Sequence, residues 1–128
     1  MTSNKTITIA VLLVTLSSCI SRLEQHALYG TVVNIQKHPI VNCSIGETTT
    51  DSSGYFYLPE KRYNQFLLSE LFIMEAPPIA YNIPVKKEGY KTTYISFINP
   101  RGGGTKKGAS RNLDTIYLKK KINYRTNE

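Results

Sequence analysis

The chain has 128 residues, 41% hydrophobic and 20% charged, with a net charge of +7. That balance excludes wholesale disorder, and the length suits one domain with a real core. The charge is uneven: residues 19–85 carry four Lys/Arg against six Asp/Glu, and residues 86–128 carry eleven against three.

The chain opens with Lys5 and an apolar run from Ile7 to Leu16, then Ser17-Ser18-Cys19. A positive end, a short apolar core and small residues form the pattern of a secretory signal peptide. A membrane span needs roughly 20 apolar residues, and Thr8 and Thr15 dilute this shorter run. Leu16-Ser17-Ser18-Cys19 resembles the lipobox of bacterial lipoproteins at all four positions. The resemblance implies a diacylglyceryl group on the Cys19 thiol, palmitate in the mature lipid, and cleavage just before Cys19. Residues 1–18 are then a signal peptide and residues 19–27 a lipidated tether. Eight extended residues, Ile20 to Ala27, reach at most about 30 Å, so the domain sits near its membrane. Ile20 stands where an Asp would resemble an inner-membrane retention signal. That implies the outer membrane, with the domain facing the periplasm. Export argues against a nucleic-acid partner.

Leu28 to Ile35 reads as a strand, and Gln36-Lys37-His38-Pro39 as a turn. Ile40 to Ile45 and Glu47 to Thr50 read as further strands. Cys43 alternates with Val41 and Ile45, which points it inward as a small hydrophobe; a reactive or intermolecular thiol is the other reading. With Cys19 used by the lipid, no disulfide can form within the mature chain. Asp51-Ser52-Ser53-Gly54 is a strong turn, and Tyr55-Phe56-Tyr57-Leu58 alternates behind it. Phe56 and Leu58 should face inward, with Tyr55 and Tyr57 outward. Tyr63 to Met74 fits both a helix and a broken strand, and is read as extended and partly irregular. Ile79–Val85, Thr92–Ile98 and Asp114–Leu118 complete the strands. Asn99 to Asn112 reads as a long basic loop, and 119–128 as a basic tail. The sum is an all-β sandwich over residues 28–118.

Gly30-x-Val32, His38-Pro39-Ile40-Val41, Thr50-Asp51-Ser52-Ser53-Gly54-Tyr55-Phe56 and Gly89-Tyr90-Lys91 together resemble the carboxypeptidase regulatory-like domain. That family implies a transthyretin-like, seven-stranded β-sandwich and an accessory, binding or structural role. The chain departs from the pattern in an insert from Glu60 to Pro78 and in the Asn99–Asn112 loop.

Catalytic and cofactor signals are weak. The histidines, His26 and His38, are placed in the tether and in a turn. No His/Cys cluster suggests a metal. The Asp51 turn offers one carboxylate where calcium needs several. Tyr124-Arg125 matches half of the closing tetrapeptide of the transthyretin-like hydrolases, which also need two histidines on strands. The expected function is therefore a non-catalytic, membrane-anchored envelope lipoprotein with no cofactor. The alternative is an outer-membrane accessory lipoprotein of a secretion system. Arg101, Lys106, Lys107 and Arg111 flank Gly backbone N–H groups and form the expected site for an anionic partner: an envelope protein, a lipid headgroup or a glycan. A solvated connection is the plainer reading of that loop.

Overall fold

Side chains that alternate between water and core sort much of this chain into strands. The computed structural model describes residues 2–16, 18–66, 69, 71–72, 76–102 and 106–123, with Leu16 by its backbone alone. Among the described residues, helix α1 (Thr2–Leu16) precedes nine strands. They are β1 (Cys19–Gln25), β2 (Ala27–Asn34), β3 (Ser44–Ile45), β4 (Thr48–Thr49), β5 (Tyr55–Leu58), β6 (Lys61–Phe66), β7 (Ile79–Lys86), β8 (Thr93–Asn99) and β9 (Ser110–Leu118). Behind the helix, the described domain is all-β.

Two sheets face each other. One has the order β5-β2-β9 and the other β4-β3-β7-β8. β2 runs antiparallel to β5 and parallel to β9. Leu28, Val32, Phe56, Leu58 and Leu118 meet Ile45, Ile83, Val85 and Ile95 in one cluster. In β5, Phe56 and Leu58 are buried while Tyr55 and Tyr57 are exposed, as the alternation requires. Each such Leu, Ile or Phe contributes about 1.5–3 kcal/mol by leaving water, as an upper estimate. Cys43 belongs to this cluster at 0% exposure. Its thiol contacts the Lys86 carbonyl at 3.4 Å. Burial pushes its pKa up, against a smaller opposing effect of Lys87. Cys43 is a core residue, and its inaccessibility removes the reactive-thiol alternative.

The crossing between the sheets depends on Thr50. Its buried hydroxyl donates to the Ile40 carbonyl at 2.6 Å and accepts the Cys43 N–H at 2.8 Å. Residues Ile40 to Cys43, expected as strand, are irregular here, and Asn42 takes φ 53°. The sheet resumes only at Ser44. Thr50 replaces the ladder bonds that this stretch gives up. The next residue closes the turn. Asp51 Oδ1 accepts the N–H groups of Ser53 and Tyr55 and the Ser53 hydroxyl. Gly54 then passes so close to β2 that a Cβ would lie 2.5 Å from the Val32 carbonyl oxygen, at φ +75°.

β9 is longer than expected and cuts the basic loop short at Ser110. An extra residue in β9 shifts its register against β2 between Tyr29 and Thr31. Asp114 takes φ 52° at this bulge. Its carbonyl would come within 2.9 Å of a Cβ on residue 30, so a glycine stands there.

The segment read as a tether is strand. β1 pairs antiparallel with β6, from Cys19↔Phe66 to Gln25↔Lys61. The β2–β5 ladder therefore continues outward as a two-stranded arm, with an irregularity between Leu23 and Gln25. A lone ribbon is marginal in water, but β1 also lies beside β7 with Leu23 and Gln25 buried, and Arg62 ties the ribbon down further. Its guanidinium donates to the Ser21 hydroxyl, the Ser21 carbonyl and the Lys106 carbonyl at 2.9, 3.1 and 2.9 Å. Composition cannot show such pairing, because Ile20 to Ala27 and Lys61 to Phe66 have no clean alternation. Residues 67, 68, 70 and 73–75 of the expected insert lie outside the described residues.

Two stability tests follow. Gly89 also has positive φ, +80°, but a Cβ there meets nothing within 4 Å. Gly89→Ala should therefore destabilise by about 1–2 kcal/mol from backbone conformation alone. Gly54→Ala should exceed it by at least about 1 kcal/mol through the added clash. Equal urea midpoints for the two variants would refute the close approach. Thr50→Val keeps the shape but strands a buried N–H and a buried C=O. It should lower stability by about 2–4 kcal/mol, and a loss below about 1 kcal/mol would show that the hydroxyl does not bridge the crossing.

Candidate functional site

The N-terminal junction is sharp. Threonines dilute the helix: Thr6 and Thr8 donate their hydroxyls to the carbonyls one turn back, Thr2 and Asn4. Ile7, Ile9, Val11, Leu12, Leu13 and Val14 all remain exposed. These described apolar side chains of the helix thus lie mostly in solvent. Among the described residues no helix is long and apolar enough to cross a membrane. The strand begins at Cys19, which is exposed and in no disulfide. The side chain of Leu16 and all of Ser17, two of the four lipobox positions, lie outside the described residues.

The four cations expected to act together are divided. Arg101, Lys106 and Lys107 are exposed. The described residues on either side of 103–105 make bonds of their own. The Arg101 N–H bonds Asn99 Oδ1, the Lys106 carbonyl accepts from Arg62, and the Gly108 N–H bonds Glu60 Oε1. Residues 103–105 lie outside the described residues. Arg111 belongs to β9 instead and turns inward. Its guanidinium carbon lies 5.1 Å from the Phe97 ring centroid.

Around Arg111 is a cluster that the sequence reading missed. β7 and β8 pair Tyr81 with Phe97 on the inner face. Their rings stack at 5.3 Å, and the His26 ring meets Phe97 edge-on at 4.9 Å. The Tyr81 hydroxyl lies 3.3 Å from His26 Nδ1. This layer closes one end of the apolar core with polar and aromatic groups. Arg111 Nη1 is buried without a hydrogen-bond partner among the described residues. Burial, and then the Arg111 charge, pushes the His26 pKa below its ordinary 6.5. Burial pushes Tyr81 up, opposed by the neighbouring Arg111 guanidinium. The neutral imidazole that results can accept the Tyr81 O–H. His26 was assigned to a tether because the residues around it show no period. Only the pairing of β1 and β2 with their neighbours brings it beside Tyr81.

His38 stays exposed in the turn after β2, at the other end of the facing sheets. The two histidines are therefore not brought together. Tyr124 and Arg125 lie outside the described residues. No group of three metal-ligating side chains occurs among the described residues. Comparison with family models, curated proteins and solved structures returns no match.

The His26 environment gives a pH test. A base whose pKa falls on folding binds fewer protons when folded. Its contribution to stability is full above about pH 6.5 and is lost as the pH falls from there toward the folded value. Arg111→Gln should raise the His26 pKa, but leave it below 6.5 because burial is the larger cause. NMR titration of the imidazole checks this. An unchanged titration would remove Arg111 from the cluster's electrostatics.

Proposed function

We propose that the chain is a lipid-anchored envelope lipoprotein whose β domain is a transthyretin-like, carboxypeptidase regulatory-like module with a binding or structural role and no catalysis. One observation carries the reading. A short helix, Thr2–Leu16, whose described apolar side chains are exposed, precedes an exposed cysteine that begins the domain's first strand. A leader of this kind is suited to insertion and removal, and the thiol to acylation. The lipid's acyl chains then hold the protein, at about 0.8 kcal/mol per buried CH₂.

The fold part of the proposal rests on topology. The two facing sheets contain three and four strands, seven in all. Their first and last strands in sequence, β2 and β9, lie side by side and parallel. The Thr50–Gly54 hairpin supports the same reading. β1 and β6 are then an added arm outside the seven-stranded sandwich.

In this reading the anchor is the outer membrane, with the domain in the periplasm, because Ile20 follows Cys19. The arm begins at Cys19, so the lipid sits at the end of a paired ribbon. Seven residues at about 3.3 Å each set that ribbon's length. Arg101, Lys106 and Lys107 lie in the loop that the arm's Arg62 clamps. They face anionic headgroups or an acidic partner from the anchored end, while Arg111 supports the core. Cys19→Ala should abolish palmitate labelling and leave the 1–18 segment attached in intact cells. Normal maturation of that variant, read by mass spectrometry, would overturn the proposal.

A further inference from the structure

A second basic surface lies at the opposite end of the facing sheets. β2 and β9 are parallel, and their last paired residues are Asn34 and Leu118. β7 ends there at Lys86, and β8 starts there at Thr93. The arm leaves from the other end, where Ala27 pairs with Ser110. Two segments far apart in sequence meet at this distal end. The Lys91 N–H donates to the Lys119 carbonyl at 2.8 Å, and the Lys121 N–H to the Gly89 carbonyl at 2.9 Å. Tyr90 and Lys120 form an antiparallel bridge between these bonds.

That short ladder gathers Lys86, Lys87, Lys91, Lys119, Lys120 and Lys121. They line two shallow depressions of about 420 and 490 Å³ that share Lys121. Glu88 is the single carboxylate among the lining residues. None of the six lysines forms an ion pair among the described residues. Like charges brought together repel, and main-chain bonds rather than neighbouring acids hold them here. Neither segment signals this alone. Lys119 to Lys121 reads as a strand end in water, and Lys86-Lys87 as a turn.

We propose that this distal lysine cluster binds a linear phosphate-bearing polymer. Two depressions that share Lys121 suit a chain lying through both. The cluster contains no arginine, so its cations are compact ammonium point charges rather than planar guanidinium forks. Ammonium groups, each with three rotatable donors, suit tetrahedral phosphates met at varied angles. Nucleic acid is disfavoured by the aromatic content. Tyr90 is the aromatic residue lining the depressions, and it is half-buried against the core, so bases have no platform to stack on. The inference does not require a lipid on Cys19.

The test is fluorescence anisotropy of the full-length chain in detergent with labelled inorganic polyphosphate. Binding should weaken at least about tenfold between 50 mM and 200 mM salt. Replacing all six lysines by Gln should weaken it at least about tenfold, and replacing all six by Arg should keep it within about threefold. The two triple variants, at positions 86, 87 and 91 and at 119, 120 and 121, should each lose part of the affinity. They keep the test decisive if the sixfold Gln variant does not fold. Cys19→Ala should bind as the parent does, which separates this result from the fate of the lipoprotein reading. Unchanged binding in both triple variants would overturn the proposal. So would tighter binding to polyglutamate, single-stranded DNA or phosphatidylglycerol vesicles than to polyphosphate.

Discussion

The Thr50 hydroxyl bridges the crossing between the two sheets. The chain must leave the three-stranded sheet after β2 and enter the four-stranded one at Ser44. Between them lie Ile40 to Cys43, buried in part but without a ladder of their own. Buried backbone groups left unpaired are expensive, and Thr50 satisfies one donor and one acceptor there at once. The same short stretch then supplies Asp51 and Gly54, which return the chain to β2 through β5. The Gly54 carbonyl accepts the Val32 N–H at 2.8 Å, so the turn is stitched to the strand it faces. Core packing of Phe56 and Leu58 depends on that closure.

A second constraint gives the molecule its direction. The β1–β6 arm extends one end of the β2–β5 ladder, and Arg62 locks it to Ser21 and to the Lys106 carbonyl. Glu60 adds a contact 3.5 Å from Arg62 and accepts the Gly108 N–H. Lys106 and Gly108, just before β9, are therefore tied to the base of the arm. Surface ion pairs of this kind are worth little singly. Here the guanidinium's several hydrogen bonds, rather than its charge alone, make the clamp.

The His26, Tyr81, Phe97 and Arg111 layer and the lysine cluster bound the core at its two ends. One is partly buried, aromatic and short of hydrogen-bond acceptors; the other is exposed and cationic. Both join residues more than twenty positions apart, as His26 with Tyr81 and Lys91 with Lys119 do. Charge counted along the chain treats residues 86–128 as one basic half. The fold splits that half, because β9 carries the chain from the arm's end to the distal end in nine residues.

The sequence by itself determined the strands whose side chains alternate or whose turns are fixed by glycine. Leu28 to Val33, Phe56 with Leu58, and Ile79 to Val85 announce their buried positions, since a strand's period of two is written in residue type. Asp51 and Gly54 announce their turn for the same local reason. Cys43 reads as core from an alternation with Val41 and Ile45, yet Val41 is exposed and the stretch is irregular, so its burial comes from the tertiary crossing rather than from a strand period. Only the tertiary structure decided that Cys19 to Gln25 is strand, because its partner β6 lies some forty residues away and neither has a clean pattern. It also decided that Gly30 must face the Asp114 carbonyl, that Arg111 turns inward away from the loop cations, and that six scattered lysines share one surface. Those outcomes depend on long-range register, which no local period encodes.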